Sequence, residues 1–137
     1  MKRSTDVWLA AGVRTPFAKV DGALARLDAI ELSVPVARHM MAELNGAQPD
    51  FAVWGVVVPS LTWSNIAREV LMDAGINATV PALSTIMACS TSMMGTIEAA
   101  GMIDGESRNL ALVGGVDSLS RVQVGLGQQL SDWLRKF

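Results

Sequence analysis

A change from strand to helix is encoded in STIMACSTSMMGTIEAAGMIDG, residues 84–105. The apolar run that leads to Cys89 is typical of a strand. Three residues of the types that cap helices come next: Ser90, Thr91 and Ser92. Residues 90–104 then predict a helix in which Glu98 is the only charged residue before Asp104. A helix this apolar is normally buried, so the stretch predicts a strand and a buried helix with Cys89 at their junction.

The same alternation continues on both sides of this stretch. Strands are predicted at residues 6–13, 51–58, 81–88 and 109–116, and helices at residues 28–44, 65–74 and 90–104. The last strand, NLALVGGV, is continuously apolar, as expected for a strand that is covered on both faces. The order β-α-β-α-β-α-β predicts an α/β fold, with a mostly parallel sheet and helices on both of its faces.

The residues alone leave alternatives for the starts of two helices. The first predicted helix contains Pro35, which leaves two alternatives. Either the helix begins after Ser33 as N-cap, with Pro35 in its first turn, or it begins earlier and kinks at Pro35. The second helix has two candidate N-caps, Ser64 and Asn65, and Gly75 is expected to end it.

The tail, residues 124–137, predicts an amphipathic helix. Its apolar face would contain Leu126, Leu130, Trp133, Leu134 and Phe137. Such a face is either exposed until something covers it or packed on the helix's own domain, and the residues do not decide between these alternatives.

The composition excludes several classes of protein. The 137 residues are 50% hydrophobic and 18% charged, with a net charge of −2. The scattered charges predict no nucleic-acid partner, and neither a signal peptide nor a run of about 20 apolar residues is found. A single cysteine fits a reducing compartment, so a cytoplasmic protein is expected. The apolar composition indicates either that other protein buries part of the surface or that the core is unusually rich in helix and methionine.

Cys89 has two interpretations from the residues alone. Backbone N–H groups and the positive end of a helix dipole favour a thiolate, and a cysteine at a helix start is therefore a candidate nucleophile. Unpaired cysteine is also among the most frequently buried and inert residue types, so the residues alone favour core packing for Cys89 over a nucleophile.

Other candidate residues carry weaker signals. The only histidine, His39, points away from the apolar face of its predicted helix and is expected on the surface. Arg14 either reaches an anionic phosphate or forms a buried ion pair. The sequence VGGVDS, residues 113–118, lacks the glycine and lysine pattern of a phosphate loop and indicates a tight turn with close backbone approach. No spacing of histidine, cysteine and carboxylates predicts a metal site.

Four segments carry a resemblance to a known family: GVRTPFAKVDGAL, SNIAREVLMDAGI, PALSTIMACSTSMMGTIEAAGMIDGE and LALVGGVDSLSRV. In this order they are similar to the opening segment, the helix after the second strand, the nucleophile segment and the following strand of the thiolases. The thiolases are the family of the 3-ketoacyl-CoA thiolases and acetyl-CoA acetyltransferases. The resemblance extends over nearly the whole chain, which is interpreted as part of the N-terminal thiolase half-domain, with residues 124–137 leading towards a missing loop region.

The nucleophile segment departs from the commonest thiolase pattern. That pattern has asparagine three places before the cysteine and Gly-Ser-Gly after it, whereas this chain has Ile86 and then Ser90, Thr91 and Ser92. Together with SNIARE, the segment is more similar to the thiolase subunits of fatty-acid oxidation complexes. The resemblance therefore does not imply a preference for short acyl chains.

The resemblance implies an activity and an incomplete site. It implies an acyl-CoA thiolase in which Cys89 accepts the acyl group and coenzyme A is a co-substrate, without a metal or prosthetic group. Thiolases also need a histidine and a second cysteine, which the family carries in its C-terminal half. The implied partners are therefore an acyl-CoA, that half or a second chain, and further copies in a homo-oligomer. The alternatives are a β-ketoacyl synthase-like condensing enzyme and a non-catalytic thiolase-like subunit.

Overall fold

A computed structural model describes residues 6–105 and 108–137 of the chain. These residues contain three parallel strands, namely β1 (Phe51–Gly55), β2 (Ala82–Thr85) and β3 (Ala111–Gly115), in the order β2-β1-β3. The helices are α1 (Ala29–Glu43), α2 (Ile66–Ala74), α3 (Thr91–Gly105) and α4 (Gln128–Leu134), with a 3₁₀ turn at Leu119–Arg121. None of the helices in this part of the chain has the length and apolar character to cross a membrane.

The sheet buries a different set of side chains on each face, because successive residues of a strand point to opposite sides. On one face, Ala52, Trp54 and Leu112 pack in a core with residues of α1 and α2. On the other face, Phe51 and Val53 pack against α3. All five residues of β1, the central strand, are buried, as is typical of a strand covered on both faces. The sequence predicts such cover for β3, but β3 is an edge strand, and Leu112 is the one residue of Ala111–Gly115 that is fully buried. The predicted α/β architecture with helices on both faces is confirmed.

Helix α1 begins five residues earlier than the Ser33 alternative requires. Asp28 is its N-cap: the Asp28 side chain accepts a hydrogen bond from Glu31 N at 2.8 Å, and Glu31 Oε2 accepts one from Asp28 N at 2.8 Å. Ser33 lies inside the helix, where its hydroxyl donates to Ala29 O at 2.7 Å and accepts from Trp54 Nε1 at 3.1 Å. The assignment of Ser33 as N-cap is therefore wrong, because a reciprocal capping box upstream supplies a better start.

Helix α2 has the predicted ends, and Asn65 is the N-cap. The Asn65 side chain accepts from Arg68 N at 3.0 Å, and Gly75 ends the helix in the left-handed conformation at φ +78°. Asn65 also binds strand β2, because its amide donates to Ala82 O at 3.0 Å. The cap thus attaches α2 to the strand that precedes Cys89.

The strand predicted at residues 6–13 is wrong. Residues 6–18 have no regular secondary structure, and the large side chains there are exposed, with Trp8 at 82% and Phe17 at 95% exposure. A strand forms only when another strand supplies backbone partners, and this segment is not paired with the sheet. The described order is consequently α-β-α-β-α-β, followed by the 3₁₀ turn and α4.

The tail forms a shorter helix than predicted, and its apolar face is open. Only Gln128–Leu134 is helical, rather than residues 124–137. The five residues of the predicted apolar face are all exposed: Leu126, Leu130, Trp133, Leu134 and Phe137. Trp133 and Phe137 contact each other edge to face, with ring centroids 5.1 Å apart. The alternative in which the tail packs on its own domain is wrong for the described chain.

Asp50, just before β1, binds the two residues that precede β3. Its carboxylate should make the stability of the fold depend on pH. Asp50 Oδ2 accepts hydrogen bonds from Asn109 N at 2.7 Å and Leu110 N at 3.0 Å. These bonds, chiefly that from Asn109, and the nearby charge of Arg108 hold the pKa of Asp50 below its ordinary value. The stability gained from the charged form is therefore fully present above the unfolded-state pKa of about 3.9. It is lost as the pH falls through the lower folded-state pKa.

We expect Asp50→Asn to lower the urea midpoint at neutral pH, since an amide oxygen is a weaker acceptor than a carboxylate. The difference from wild type should shrink as the pH is lowered below about 3.9, because the wild-type carboxyl then becomes protonated. Urea unfolding followed by circular dichroism at a series of pH values measures this difference. A difference that stays constant across the series would contradict the assigned role of the Asp50 charge.

Candidate active site

Cys89 lies in the turn between β2 and α3, as the sequence predicts. Strand β2 ends at Thr85 and α3 begins at Thr91. Two backbone hydrogen bonds shape the turn, from Ser90 N to Met87 O at 3.0 Å and from Thr91 N to Ala88 O at 3.2 Å. The Cys89 thiol is free and exposed, so Cys89 does not pack in the core of the described chain. Cys89 lies two residues before Thr91, the first residue of α3, and the first amides of an α-helix lack partners within the helix.

The turn has an unusual backbone. Ala88 has a φ of +47°, which places it in the left-handed region that non-glycine residues rarely adopt. The hydroxyl of Thr91 accepts a hydrogen bond from Met87 N at 2.8 Å and donates one to Ala88 O at 2.7 Å. Thr91 is 5% exposed. The sequence identified Thr91 only as a helix-capping type, and nothing in the local pattern indicated its contacts on both sides of Ala88.

Glycines let α3 approach the sheet closely. A methyl group on Gly55, at the end of β1, would lie 2.0 Å from Thr91 Cγ2 and 3.0 Å from Thr85 O. A methyl group on Gly115, at the end of β3, would lie 2.8 Å from Ser92 Cβ. Because no side chain fits at either position, the start of α3 rests directly on the carboxyl ends of two strands.

The VGGVDS segment has a role other than the predicted turn. Gly114 and Gly115 are the last two residues of β3 rather than a tight turn. Close approach is confirmed, because a methyl group on Gly114 would lie 2.5 Å from the ring of Trp54. Beyond the strand, Asp117 Oδ1 accepts from Val57 N and Val58 N at 3.0 Å each. Asp117 therefore joins the loops after β1 and β3, a contact that no sequence pattern indicated.

A cleft of about 950 Å³ opens beside Cys89. Cys89, Thr91 and Ser92 line one part of it, and residues 7–20 line another, across the outer edge of β3. The cleft extends along the whole length of β3, and the turn with Cys89 lies at its end beside the carboxyl ends of the strands. In open parallel sheets this is the usual location of a ligand site.

The other two candidate residues, His39 and Arg14, differ in location. His39 is on the surface, as predicted: its side chain is 57% exposed, its Nε2 lies 3.8 Å from Glu43 Oε1, and α1 is on the face of the sheet opposite α3. Arg14 lines the same cleft as Cys89. Its side chain is exposed and lies over the ring of Phe17 at 5.2 Å, so the buried ion pair is wrong. Within residues 6–105 and 108–137, no three histidine, cysteine or carboxylate residues are grouped as metal ligands.

Comparisons with known proteins agree on one family. A family model described as "Thiolase, N-terminal domain" matches residues 7–134. A 3-ketoacyl-CoA thiolase of Shewanella pealeana is 31% identical over 131 residues, which are 94% of this chain and 30% of that protein. A 3-ketoacyl-CoA thiolase of Vibrio cholerae is 32% identical over 127 residues, which are 91% of this chain and 29% of that protein.

A solved structure shows the same fold. The crystal structure of the Bacillus anthracis acetyl-CoA acetyltransferase superposes with a TM-score of 0.78 and 28% identity. The superposition covers 85% of this chain and 30% of that one. The chain thus spans about 30% of the length of the relatives that it matches.

Proposed function

This chain belongs to the thiolase family, whose N-terminal domain it matches, and we propose that Cys89 is the acyl-accepting nucleophile of an acyl-CoA thiolase. The observation that carries the proposal is the position of Cys89. The thiol is exposed, precedes the first turn of α3, and faces a cleft at the carboxyl ends of the strands. The relatives are a 3-ketoacyl-CoA thiolase and an acetyl-CoA acetyltransferase, which supports the same reaction class.

The proposed reaction has two steps. The Cys89 thiolate attacks the keto carbonyl of a 3-ketoacyl-CoA, and the bond between C2 and C3 breaks. Acetyl-CoA leaves after its C2 takes up a proton, and the acyl group remains on Cys89 as a thioester. The thiol of a second coenzyme A then loses its proton, attacks that thioester and departs as an acyl-CoA, which restores the Cys89 thiolate.

The turn around Cys89 suits the first of these steps. Oxygen develops negative charge as the thiolate adds to the carbonyl, and backbone N–H groups at a helix start stabilise such an oxyanion. The Cys89 N–H is the donor that we assign to this role. Its direction depends on the backbone of residues 87–91, which the hydrogen bonds of Thr91 restrain.

The proton transfers require groups from outside the described chain. The single histidine, His39, lies on α1 with its side chain towards solvent, across the sheet from α3. Because the chain covers 30% of its relatives, we assign the base and the second thiol to protein that corresponds to the remainder of those relatives. This protein is either the continuation of the same polypeptide or a second chain.

Exposed apolar surface indicates where that protein packs. On α3, Met93 and Ile97 are 61% and 56% exposed, although the helix has almost no charged residue to interact with water. The outer edge of β3 faces the cleft, and an open strand edge is a site for pairing with a further strand. We propose that a second thiolase half covers both surfaces, and that the complete units then associate as a homo-oligomer.

Acyl exchange onto Cys89 tests the proposed function with the chain itself. An acyl-CoA is already a thioester, so transfer of its acyl group to Cys89 with release of coenzyme A requires only an activated thiol. Intact-mass spectrometry of the chain incubated with acetyl-CoA or a longer acyl-CoA would detect the adduct. We expect exchange at least about tenfold faster in the folded chain than in urea, because only the folded chain has the helix start.

Two controls make the exchange experiment specific. Cys89→Ala removes the only thiol of the chain and should form no adduct. Ser90→Ala changes a neighbouring hydroxyl in the same turn and should still be acylated. Exchange that is no faster in the folded chain than in urea would contradict the proposed nucleophile and favour a non-catalytic, thiolase-like subunit.

The same exposed surface predicts that the isolated chain self-associates. Burial of apolar surface stabilises association by about 25 cal/mol per Å², and α3 and α4 both offer such surface. Size-exclusion chromatography with light scattering should show assemblies whose mass grows with concentration, and a hydrophobic dye should bind.

Variants on the tail locate the responsible surface. Trp133→Glu should reduce the assembly and the dye signal, whereas Gln129→Glu adds the same charge to the same helix outside the apolar face and should not. A monomeric wild-type chain with a sharp thermal transition and no dye binding would contradict the prediction, because the chain would then need no partner to cover its apolar surface.

A further inference from the structure

The backbone at Ala88 needs support from its neighbours. Its φ of +47° is in the left-handed region, where the Cβ of an L-residue is crowded by the backbone. Such a conformation persists only where surrounding contacts hold it, and it is concentrated at functional sites. Ala88 directly precedes Cys89, so any change of this backbone would redirect both the thiol and the Cys89 N–H.

Thr91 makes the contacts that hold this conformation. One hydroxyl accepts from Met87 N at 2.8 Å and donates to Ala88 O at 2.7 Å, so it bridges the peptide groups on the two sides of Ala88. Thr91 N donates to the same carbonyl at 3.2 Å. Since Thr91 is 5% exposed, water competes little for these bonds.

The sheet in turn holds the Thr91 side chain. Its Cγ2 occupies the space that a side chain on Gly55 would need, only 2.0 Å from the position of a Cβ there. Packing of the methyl group against the end of β1 leaves the hydroxyl directed at the turn. The side chain thus has one part that is fixed by the core and one part that holds the backbone around Ala88.

We propose that Thr91 is a positioning residue for Cys89. Its hydroxyl keeps Ala88 in the left-handed conformation and so presents the Cys89 thiol at the start of α3. This inference rests on the proposed function of Cys89 as nucleophile, and it assigns the control of that nucleophile to a side chain that acts through the backbone of the turn.

Alkylation of Cys89 by iodoacetamide provides the readout, because the chain has no other thiol. Thr91→Val keeps the shape and the methyl group but removes both hydroxyl hydrogen bonds, and we expect its alkylation rate at neutral pH to fall about tenfold. Thr91→Ser retains the hydroxyl and should stay within about twofold of wild type. Thr96→Val removes a hydroxyl that donates to Ser92 O one turn further along α3, and it should leave the rate unchanged.

A second variant separates positioning from general destabilisation. Glycine adopts positive φ without the steric cost that alanine has. Adding Ala88→Gly to Thr91→Val should therefore restore much of the lost rate, although glycine makes the unfolded chain more flexible and does not restore the hydrogen bonds. Circular dichroism identifies any variant that fails to fold. If Thr91→Val is such a variant, Thr91→Ser and the double variant carry the comparison with wild type.

Each outcome decides the proposal. The proposal is supported if Cys89 is alkylated slowly in Thr91→Val, at nearly the wild-type rate in Thr91→Ser, and faster again when Ala88→Gly is added to Thr91→Val. Equal rates for wild type and Thr91→Val overturn it, and so does a Thr91→Ser as slow as Thr91→Val, which would assign the effect to methyl packing. Acyl exchange is measured separately. If the Thr91 variants change the alkylation rate as expected but acyl-CoA does not acylate Cys89, the proposed function is contradicted and the positioning role is not.

Discussion

The 137-residue chain on its own is expected to show no thiolysis of a 3-ketoacyl-CoA, at least several orders of magnitude below a complete thiolase. The chain supplies one nucleophile, and the described structure places its only histidine on the surface of α1, across the sheet from α3. Loss of one member of a set of catalytic groups that act together commonly removes most of the rate. The chain also has no second cysteine, the other group that its resemblance to the thiolases implies for the complete site.

Loss of 3-ketoacyl-CoA absorbance in the presence of coenzyme A measures this activity. The complete Vibrio cholerae relative serves as the positive control for the assay. Robust turnover by the purified chain would mean that the base is within these 137 residues. His39→Ala would then show whether His39 provides it, and the assigned partner half would be unnecessary for catalysis.

Gly55→Ala is expected to be the most destabilising single substitution among those considered. The new methyl group would lie 2.0 Å from Thr91 Cγ2 and 3.0 Å from Thr85 O, and β1 is the central strand of the sheet. Relief of this overlap requires α3 to move away from the sheet. Overpacking of a core costs about 1–3 kcal/mol and occasionally more, and this contact is with a side chain that is itself buried. We expect a loss of about 3 kcal/mol or a failure to fold.

Gly101→Ala is the matched control. Gly101 lies in α3, and no atom would come within 4 Å of an added methyl group. Alanine there should stabilise the helix by about 0.5–1 kcal/mol, because it restricts the unfolded chain. Urea unfolding of both variants measures the difference. Equal stability of Gly55→Ala and wild type would show that α3 does not rest on β1 as closely as the structure indicates.

Gly55→Ala also connects stability with the candidate site. If the variant folds, the displaced Thr91 can no longer bridge Met87 and Ala88, so the alkylation of Cys89 should slow as well. Gly101→Ala changes the same helix at a distance from the turn and should leave that rate unchanged. The two variants therefore test whether the glycine at the end of β1 acts on Cys89 through Thr91.

Local signals predicted much of this fold. Helix α2 has its N-cap at Asn65 and its end at Gly75 because a capping side chain and a left-handed glycine act within one turn of the chain. Strand β1 and the junction at Cys89 were predicted for a similar reason, since runs of apolar residues and hydroxyl residues are local features. At the start of α1 the sequence held two competing signals, and the capping box of Asp28 and Glu31 was the stronger.

The sequence by itself therefore determined the succession of helices and strands from α1 to β3 and the location of Cys89 between a strand and a helix, because these depend on contacts within a few residues. Only the tertiary structure decided that residues 6–13 form no strand, that the tail remains exposed, and that Thr91 and Gly55 shape the turn before α3. A strand requires a distant backbone partner, and a close approach of glycine to threonine requires two segments to meet in space. Neither requirement is visible in a local pattern of residues.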